Sequence, residues 1–527
     1  MKRSCCEWGR LFMPFSKQMM VFLSIVTLLL LSIIGPFTQV VQASETIDYD
    51  PLEDIMVTFE LLTIRSLEKY DNHKQTREFI DLFSAPDFYV KVSINDKQFT
   101  SSIWKNTRYI NDADWRVSAN VPDDEEWVEI TIELWDWNLG RDQKCDISGH
   151  NGETQDHKDV TLYYNLKSGH WTGDDYLDDV QINADPSGYG RLNGCDDGSI
   201  YIHDFDAELW FDVYQTDHDG DGIPYWTETE MFNTNPNVDD RGRDDDADGI
   251  PIEWEWKWGY ELLYNWHEDE YIHQWQYDPF VWDDHENLDP DMDGLNNVEE
   301  YLMADQRADP FRKDLFVELD QMEAGPNGEP ASIFPEESKR MLRTAYNRYN
   351  VVYHLDDGSW ESNSGAEMIP FDEECDYYDL INIYENYFLH NDDDNWRRGI
   401  FHYGLVVYGS WSAAGMAFRP DAYVIASRGH EKKSKTFFLD RNTVYASAYM
   451  HECGHTLGIH HGNTPGCDDR EGMYPWEMNF WKWRPYRSVM NYGYMYKMLD
   501  YSDGSGGKND FDDWDRLDFT YFQRHGW

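Results

Sequence analysis

His451-Glu452-Cys453-Gly454-His455-Thr456-Leu457-Gly458-Ile459-His460-His461 reads H-E-x-x-H-x-x-G-x-x-H. On a helix, positions i and i+4 share a face, so His451 and His455 can hold one metal ion together. Glu452 lies beside them, placed to act on a metal-polarised water. Gly458 permits a sharp turn after the helix, which can bring His461 round as a third ligand. His460 is its neighbour but does not fit the spacing. Three imidazoles leave a fourth zinc position open, the mark of a catalytic site rather than a structural one. Five fixed positions over a chain of 527 residues match by chance on the order of 10⁻⁴.

Downstream runs Arg487-Ser488-Val489-Met490-Asn491-Tyr492. With the extended histidine motif, this stretch resembles the metzincin clan of zinc endopeptidases, whose zinc motif is followed by a Met-turn. The resemblance covers residues 310–527. It implies zinc on His451, His455 and His461, Glu452 as general base, and Met490 as an apolar floor beneath the metal. Tyr492 matches a tyrosine that steadies the transition state in some metzincins. The implied fold is a twisted α/β domain with a sheet backed by two long helices.

Three stretches further upstream share one pattern, D-x-D-x-D-G-[IL]-x₄-E. The first places Asp217, Asp219, Asp221, Ile223 and Glu228 at positions 1, 3, 5, 7 and 12. The second places Asp244, Asp246, Asp248, Ile250 and Glu255 there. The third places Asp289, Asp291, Asp293, Leu295 and Glu300. Calcium takes six to eight hard oxygens, so alternate carboxylates in a tight loop converge on it. Glycine at position 6 allows the turn, position 7 offers its carbonyl, and the final glutamate chelates. A strand-like run, Leu209–Tyr214, precedes the first loop where a paired EF-hand would have a helix. The loops therefore resemble thrombospondin type 3 and dockerin-like repeats, which implies a calcium-stiffened spacer over 213–309. The Trp-rich run 253–258 is expected to pack against the loops or a neighbouring domain.

Residues 44–212 alternate as strands do, as in Phe88–Ile94 and Val128–Trp135, and predict a β-sandwich. Asp81 and Asp87 before one strand, and Asp136, Asn138 and Asp142 after another, resemble the first and third calcium loops of C2 domains. That resemblance implies calcium at these five residues. It also implies membrane or surface contact through this domain. A plain sandwich with polar turns is the alternative. Asn138 stands where an aspartate is usual.

Residues 1–43 hold Lys2, Arg3, Arg10 and Lys17, then an apolar run and Val41-Gln42-Ala43. They predict a secretory signal cleaved after Ala43, with an uncleaved anchor as the alternative. The chain is thus expected outside the cell or at its surface. Export permits disulfides. Cys453 with Cys467, and Cys145 with Cys195, are the preferred pairs, and Cys375 is left over as a buried inert thiol. Net charge is −57, which excludes a phosphate-binding partner such as nucleic acid. Such a charge repels itself in a compact chain unless cations neutralise it.

The sequence therefore predicts a multidomain α+β protein. Its parts are a signal (1–43), a β-sandwich (44–212), a calcium-loop spacer (213–309) and a metzincin-like α/β catalytic domain (310–527). The expected activity is zinc-dependent hydrolysis of a protein or peptide substrate. The rival is a calcium-dependent surface-binding or adhesion protein with an inactive protease domain.

Overall fold

A computed structural model describes residues 55–67, 85–122, 125–149, 158–174, 190–196, 205–265, 270–411 and 414–523. The signal segment and Asp81 lie outside the described residues. Two antiparallel sheets come first. One runs in the order Gly190–Asn193, Ala207–Tyr214, Met56–Ser66, with Trp115–Asn120 and Tyr109–Ile110 also on Met56–Ser66. The other runs Lys97–Thr100, Phe88–Ile94, Trp127–Asp136, Val160–Asn165, Trp171–Gly173. Val128, Ile130, Ile132 and Leu134 are buried, and the residues between them are more open. That period of two is the mark of a strand with one covered face. The Trp171 ring meets Phe211 of the first sheet at 5.6 Å between centroids, so the two sheets touch through aromatics. This arrangement is consistent with a β-sandwich.

The C-terminal part is built on a mixed sheet. Its order is Val352–Asp356, Asp314–Met322, Phe401–Val407, Ala422–Ala426, Gly415–Arg419. The first four strands are parallel and the last is antiparallel. Every residue of Asp314–Met322 is buried, as expected for a central parallel strand covered on both faces. Helices Glu336–Asn347 and Arg441–Thr456 cover one face through Leu342, Tyr346, Ala446, Tyr449 and Met450. Leu380, Tyr384 and Phe388 cover the other. Pro335 is the N-cap of the first of these helices. The motif helix starts at Arg441, where the Asp440 carboxylate caps it by accepting the Thr443 amide at 2.8 Å.

The middle segment is wedged in rather than extended. Trp254, Trp256 and Trp258 are all buried. Trp254 and Trp258 share a cluster with Trp210 of the first sheet and Phe311 and Val352 of the C-terminal part. The Trp256 indole donates to the Ser168 carbonyl at 2.9 Å. Buried Glu208 takes Arg65 and Arg191 at 2.9 and 2.8 Å, and the Asn347 amide at 2.8 Å. Burial opposes its charge, but the two arginines outweigh this and hold its carboxyl below the usual range. Residues Ile55–Trp527 thereby form one compact unit.

Cys195, Cys375, Cys453 and Cys467 are free thiols, and all five described cysteines are buried. The expected pairs Cys453–Cys467 and Cys145–Cys195 are therefore not formed. Cys453 is buried in the tyrosine-lined core, in one cluster with Tyr346, Tyr423 and Tyr449. Cys195 lies 3.6 Å from Asp206 Oδ2. Each thiol has a local partner or a packed surrounding in place of a bridge.

Candidate metal centres

The motif helix presents His451 and Glu452 buried and His455 half-buried. Each of the three motif histidines gives its Nδ1–H to a main-chain carbonyl. His451 donates to Val489 at 2.8 Å, His455 to Ile459 at 2.7 Å, and His461 to Cys467 at 3.0 Å. Nδ1 is thus the nitrogen held by the main chain and Nε2 the one a metal would take, as in metal-binding histidines generally. Gly458 adopts φ +85°, a left-handed turn that suits glycine, and so aims the Ile459 carbonyl back at His455. The donor set fits zinc.

Met490 is fully buried beneath this helix; a methyl group on Gly454 would lie 2.7 Å from its sulfur. The Tyr492 ring lies against His451 at 5.5 Å. Glu452 is pressed against the edge strand: a methyl group on Gly415 would lie 2.3 Å from Oε1. Burial raises the Glu452 carboxyl, only partly offset by His451 and His455.

One residue here is absent from the sequence reading. Asp468 puts Oδ1 at 3.0 Å from His451 Nε2 and Oδ2 at 3.4 Å from His455 Nε2. His451, His455 and Asp468 offer ligand atoms within 4.8 Å of one another; exposed His461 stands outside this trio. Asp468 takes φ +55°, rare for a residue with a side chain. Burial opposes a charge on His455, but Asp468 outweighs it and raises the imidazole to about 9. No local motif announces an acid seven residues past the last histidine.

The three acidic loops repeat one wiring. The position 1 aspartate accepts the position 6 glycine amide, at 3.0 Å (Asp217), 3.1 Å (Asp244) and 3.1 Å (Asp289). The position 5 aspartate accepts the position 7 amide at 2.8, 3.0 and 2.7 Å for Asp221, Asp248 and Asp293. Its second oxygen accepts an amide from the following segment: Asp240 at 3.0 Å, Asp283 at 3.1 Å and Asp314 at 2.7 Å. Gly222, Gly249 and Gly294 have φ of +95°, +101° and +97°. The oxygens left without a partner are also the same. They are Asp219 Oδ2 and Glu228 Oε2, Asp246 Oδ2 and Glu255 Oε1, and Asp291 Oδ2 with both oxygens of Glu300. Buried carboxylate oxygens without donors are costly unless a cation faces them. Positions 3 and 12 therefore fit a cation in every loop, with calcium the ion for all-oxygen sets.

The other acidic site expected from sequence differs. Asp87 and Asp136 are brought together, since Asp136 Oδ1 accepts the Asp87 amide at 2.7 Å. Asp136 Oδ2 takes the Asn138 side-chain amide at 2.7 Å, and Asp142 takes the Tyr89 hydroxyl at 2.9 Å. These oxygens are engaged by internal donors, unlike the orphaned oxygens at positions 3 and 12 of the three loops.

No family model and no curated protein matches this chain. Among solved structures, "Structure of a C2 domain" matches at 12% identity, over 31% of this chain and 98% of that one, with a TM-score of 0.18. "Crystal structure of a C2 domain protein from Ramazzottius varieornatus" matches at 11%, over 31% and 87%, with a TM-score of 0.20. The paired C2 domains of a calcium-bound extended synaptotagmin match at 12%, over 31% and 46%, with a TM-score of 0.18. Likeness this slight carries no conclusion about what the chain does.

Proposed function

We propose that this chain is an exported, calcium-stabilised zinc endopeptidase of metzincin type. The observation that carries the reading is the common orientation of His451, His455 and His461, each with Nδ1 on a main-chain carbonyl, which turns Nε2 away from the main chain. Zinc, when bound, supplies Lewis acidity that acidifies a water and polarises a carbonyl. Glu452 takes the proton of the attacking water and returns it to the leaving amine. Its burial raises its proton affinity, which suits an acid–base group working near neutral pH. Tyr492 is placed to donate a hydrogen bond to the developing oxyanion. The edge strand Gly415–Arg419 passes Glu452 and has no strand on its outer side among the described residues. An extended peptide can pair with that edge.

The sandwich adds a surface contact, C2-like in kind. Leu139 is 95% exposed and Trp137 38%, side by side with Asp136, Asn138 and Asp142 at one end of the strands. Apolar side chains projecting beside acids suit docking on a membrane or another surface. Among the described residues, no helix is long and apolar enough to cross a membrane.

Hydrolysis of casein by the mature protein, with and without a zinc chelator, tests the reading. Chelator-sensitive cleavage supports it. A zinc-loaded protein that cleaves no peptide leaves the rival, a calcium-dependent surface-binding protein with an inert zinc domain.

A further inference from the structure

The three acidic loops differ in the residue that closes them. In the first, Asp240 joins Asp221 and Glu228, with ligand atoms within 4.8 Å. In the second, the corresponding place beside Asp248 and Glu255 is taken by His285, also within 4.8 Å. His285 Nε2 lies 3.2 Å from Asp248 Oδ2 and 3.5 Å from Glu255 Oε1. Those separations suit donors about 2.1 Å from one shared ion. His285 and Glu255 are each 1% exposed. Neither His285 Nε2 nor Glu255 Oε1 has a hydrogen-bond partner. The rings of Trp254 and Tyr277 wall the imidazole at 6.0 and 5.1 Å.

The bland account is a buried histidine ion-paired to acids. Asn297 sets which ring nitrogen faces the acids. Its side-chain amide meets His285 Nδ1 at 2.8 Å, and its Oδ1 has no partner although the residue is fully buried. The oxygen and nitrogen of an amide are interchangeable by a half-turn. With Oδ1 turned to the ring, Nδ1–H donates to it and the stranded oxygen is satisfied. Nε2 then faces two carboxylates, where either a proton on the ring or a shared cation satisfies it, and a cation also meets the orphaned Glu255 Oε1. Calcium seeks oxygen. A mixed set of imidazole and carboxylate suits zinc or manganese instead.

We propose that the second loop is a transition-metal site, holding an ion such as zinc on Asp248, Glu255 and His285, while the first and third loops take calcium. Asn297 is position 9 of the third loop, so it links the two sites through the imidazole it orients.

The test is elemental analysis of the full chain carrying His455→Ala, which breaks the H-E-x-x-H pair. The protein is equilibrated with millimolar calcium and buffered micromolar zinc. One zinc per chain is expected. Adding His285→Asp, which copies the carboxylate of the first loop, should weaken that zinc at least about tenfold to a hundredfold and raise the calcium count by one. His285→Gln, uncharged and similar in reach, should also lose the zinc, and serves if the aspartate variant misfolds. A His455→Ala protein without zinc, or equal zinc in the histidine variants, overturns the proposal. Because the parent lacks the motif pair, this outcome is independent of whether the chain is a peptidase.

Discussion

The second oxygen of Asp293 accepts the backbone amide of Asp314 at 2.7 Å, tying the third acidic loop to the first residue of the central strand Asp314–Met322. The loop is thus part of the C-terminal sheet's own foundation. Asp291, Asp293 and Glu300 are buried there, and Asp314 stands among them. Burial first, and then mutual repulsion, raises all four carboxyls well above their usual range without an ion.

Stripping calcium should therefore weaken the C-terminal domain along with the loops. Each independent calcium site contributes about 2.7 kcal/mol at a hundredfold excess over its dissociation constant. Scanning calorimetry with a calcium-selective chelator should show a lower Tm. Asp293→Ala should reproduce much of that loss in the presence of calcium. An unchanged Tm in both would mean that the loop is a solvated acidic turn.

The effect of calcium should grow with pH. Burial and the neighbouring aspartates raise Glu228 to about 8 from an ordinary 4.5. A carboxyl whose folded value is raised stabilises the fold below its unfolded value, and that stability is lost as pH climbs through the folded value. Between pH 5 and 8 the calcium-free protein loses this contribution, whereas an ion neutralises the same charges. The gap in Tm between calcium-loaded and calcium-free protein should widen from pH 5 to 8. A gap that narrows would contradict the placement of these acids around a cation.

Glu452→Ala should keep the zinc and the fold and lose about 10²–10⁴ in peptidase rate, the usual cost of removing a general base. His455→Ala should instead lose the zinc of the H-E-x-x-H site. Activity of Glu452→Ala at the unmutated rate would remove the glutamate from the mechanism.

Asp468→Ala should weaken zinc binding about tenfold to a hundredfold, because its carboxylate meets both His451 and His455. Competition with a chromophoric chelator measures this directly. Unchanged affinity would confine Asp468 to holding its loop.

Thiol titration of the mature chain should find Cys145, Cys195, Cys375, Cys453 and Cys467 silent in the native state and reactive in denaturant. All five are buried. Burial, with nearby aspartates, pushes Cys375 up to about 12, and burial raises Cys453 to about 11. A single reactive thiol in denaturant would restore the two bridges.

The histidine motif and the acidic loops were legible because their chemistry demands fixed spacing within one short stretch. The strands were legible where one period ruled, as in Phe88–Ile94, whose observed bounds equal the expected ones. Asp468 and His285 were not. Each reaches its site through a turn or a distant segment, and Asp468 needs a positive φ that aspartate rarely adopts. The helix Ser427–Phe437 was missed because it is polar along most of its length, with only Ser427 and His430 buried. The cysteine pairing failed for a related reason. Nearness in sequence to a shared motif says nothing about which face of a helix a thiol occupies, and Cys453 faces the tyrosine core.

The carbonyls that steady the three motif histidines belong to Val489, Ile459 and Cys467, and a carbonyl is common to every amino acid. The aim of each imidazole is therefore written in the path of the main chain and not in the identity of the supporting residue. Exchanging Ile459 or Val489 for another apolar side chain of similar size leaves the donor–acceptor pair intact. Such a centre can drift widely in its surroundings while its ring orientations stay fixed, and a peptide-bond distortion at these three points would disturb it more than most side-chain replacements.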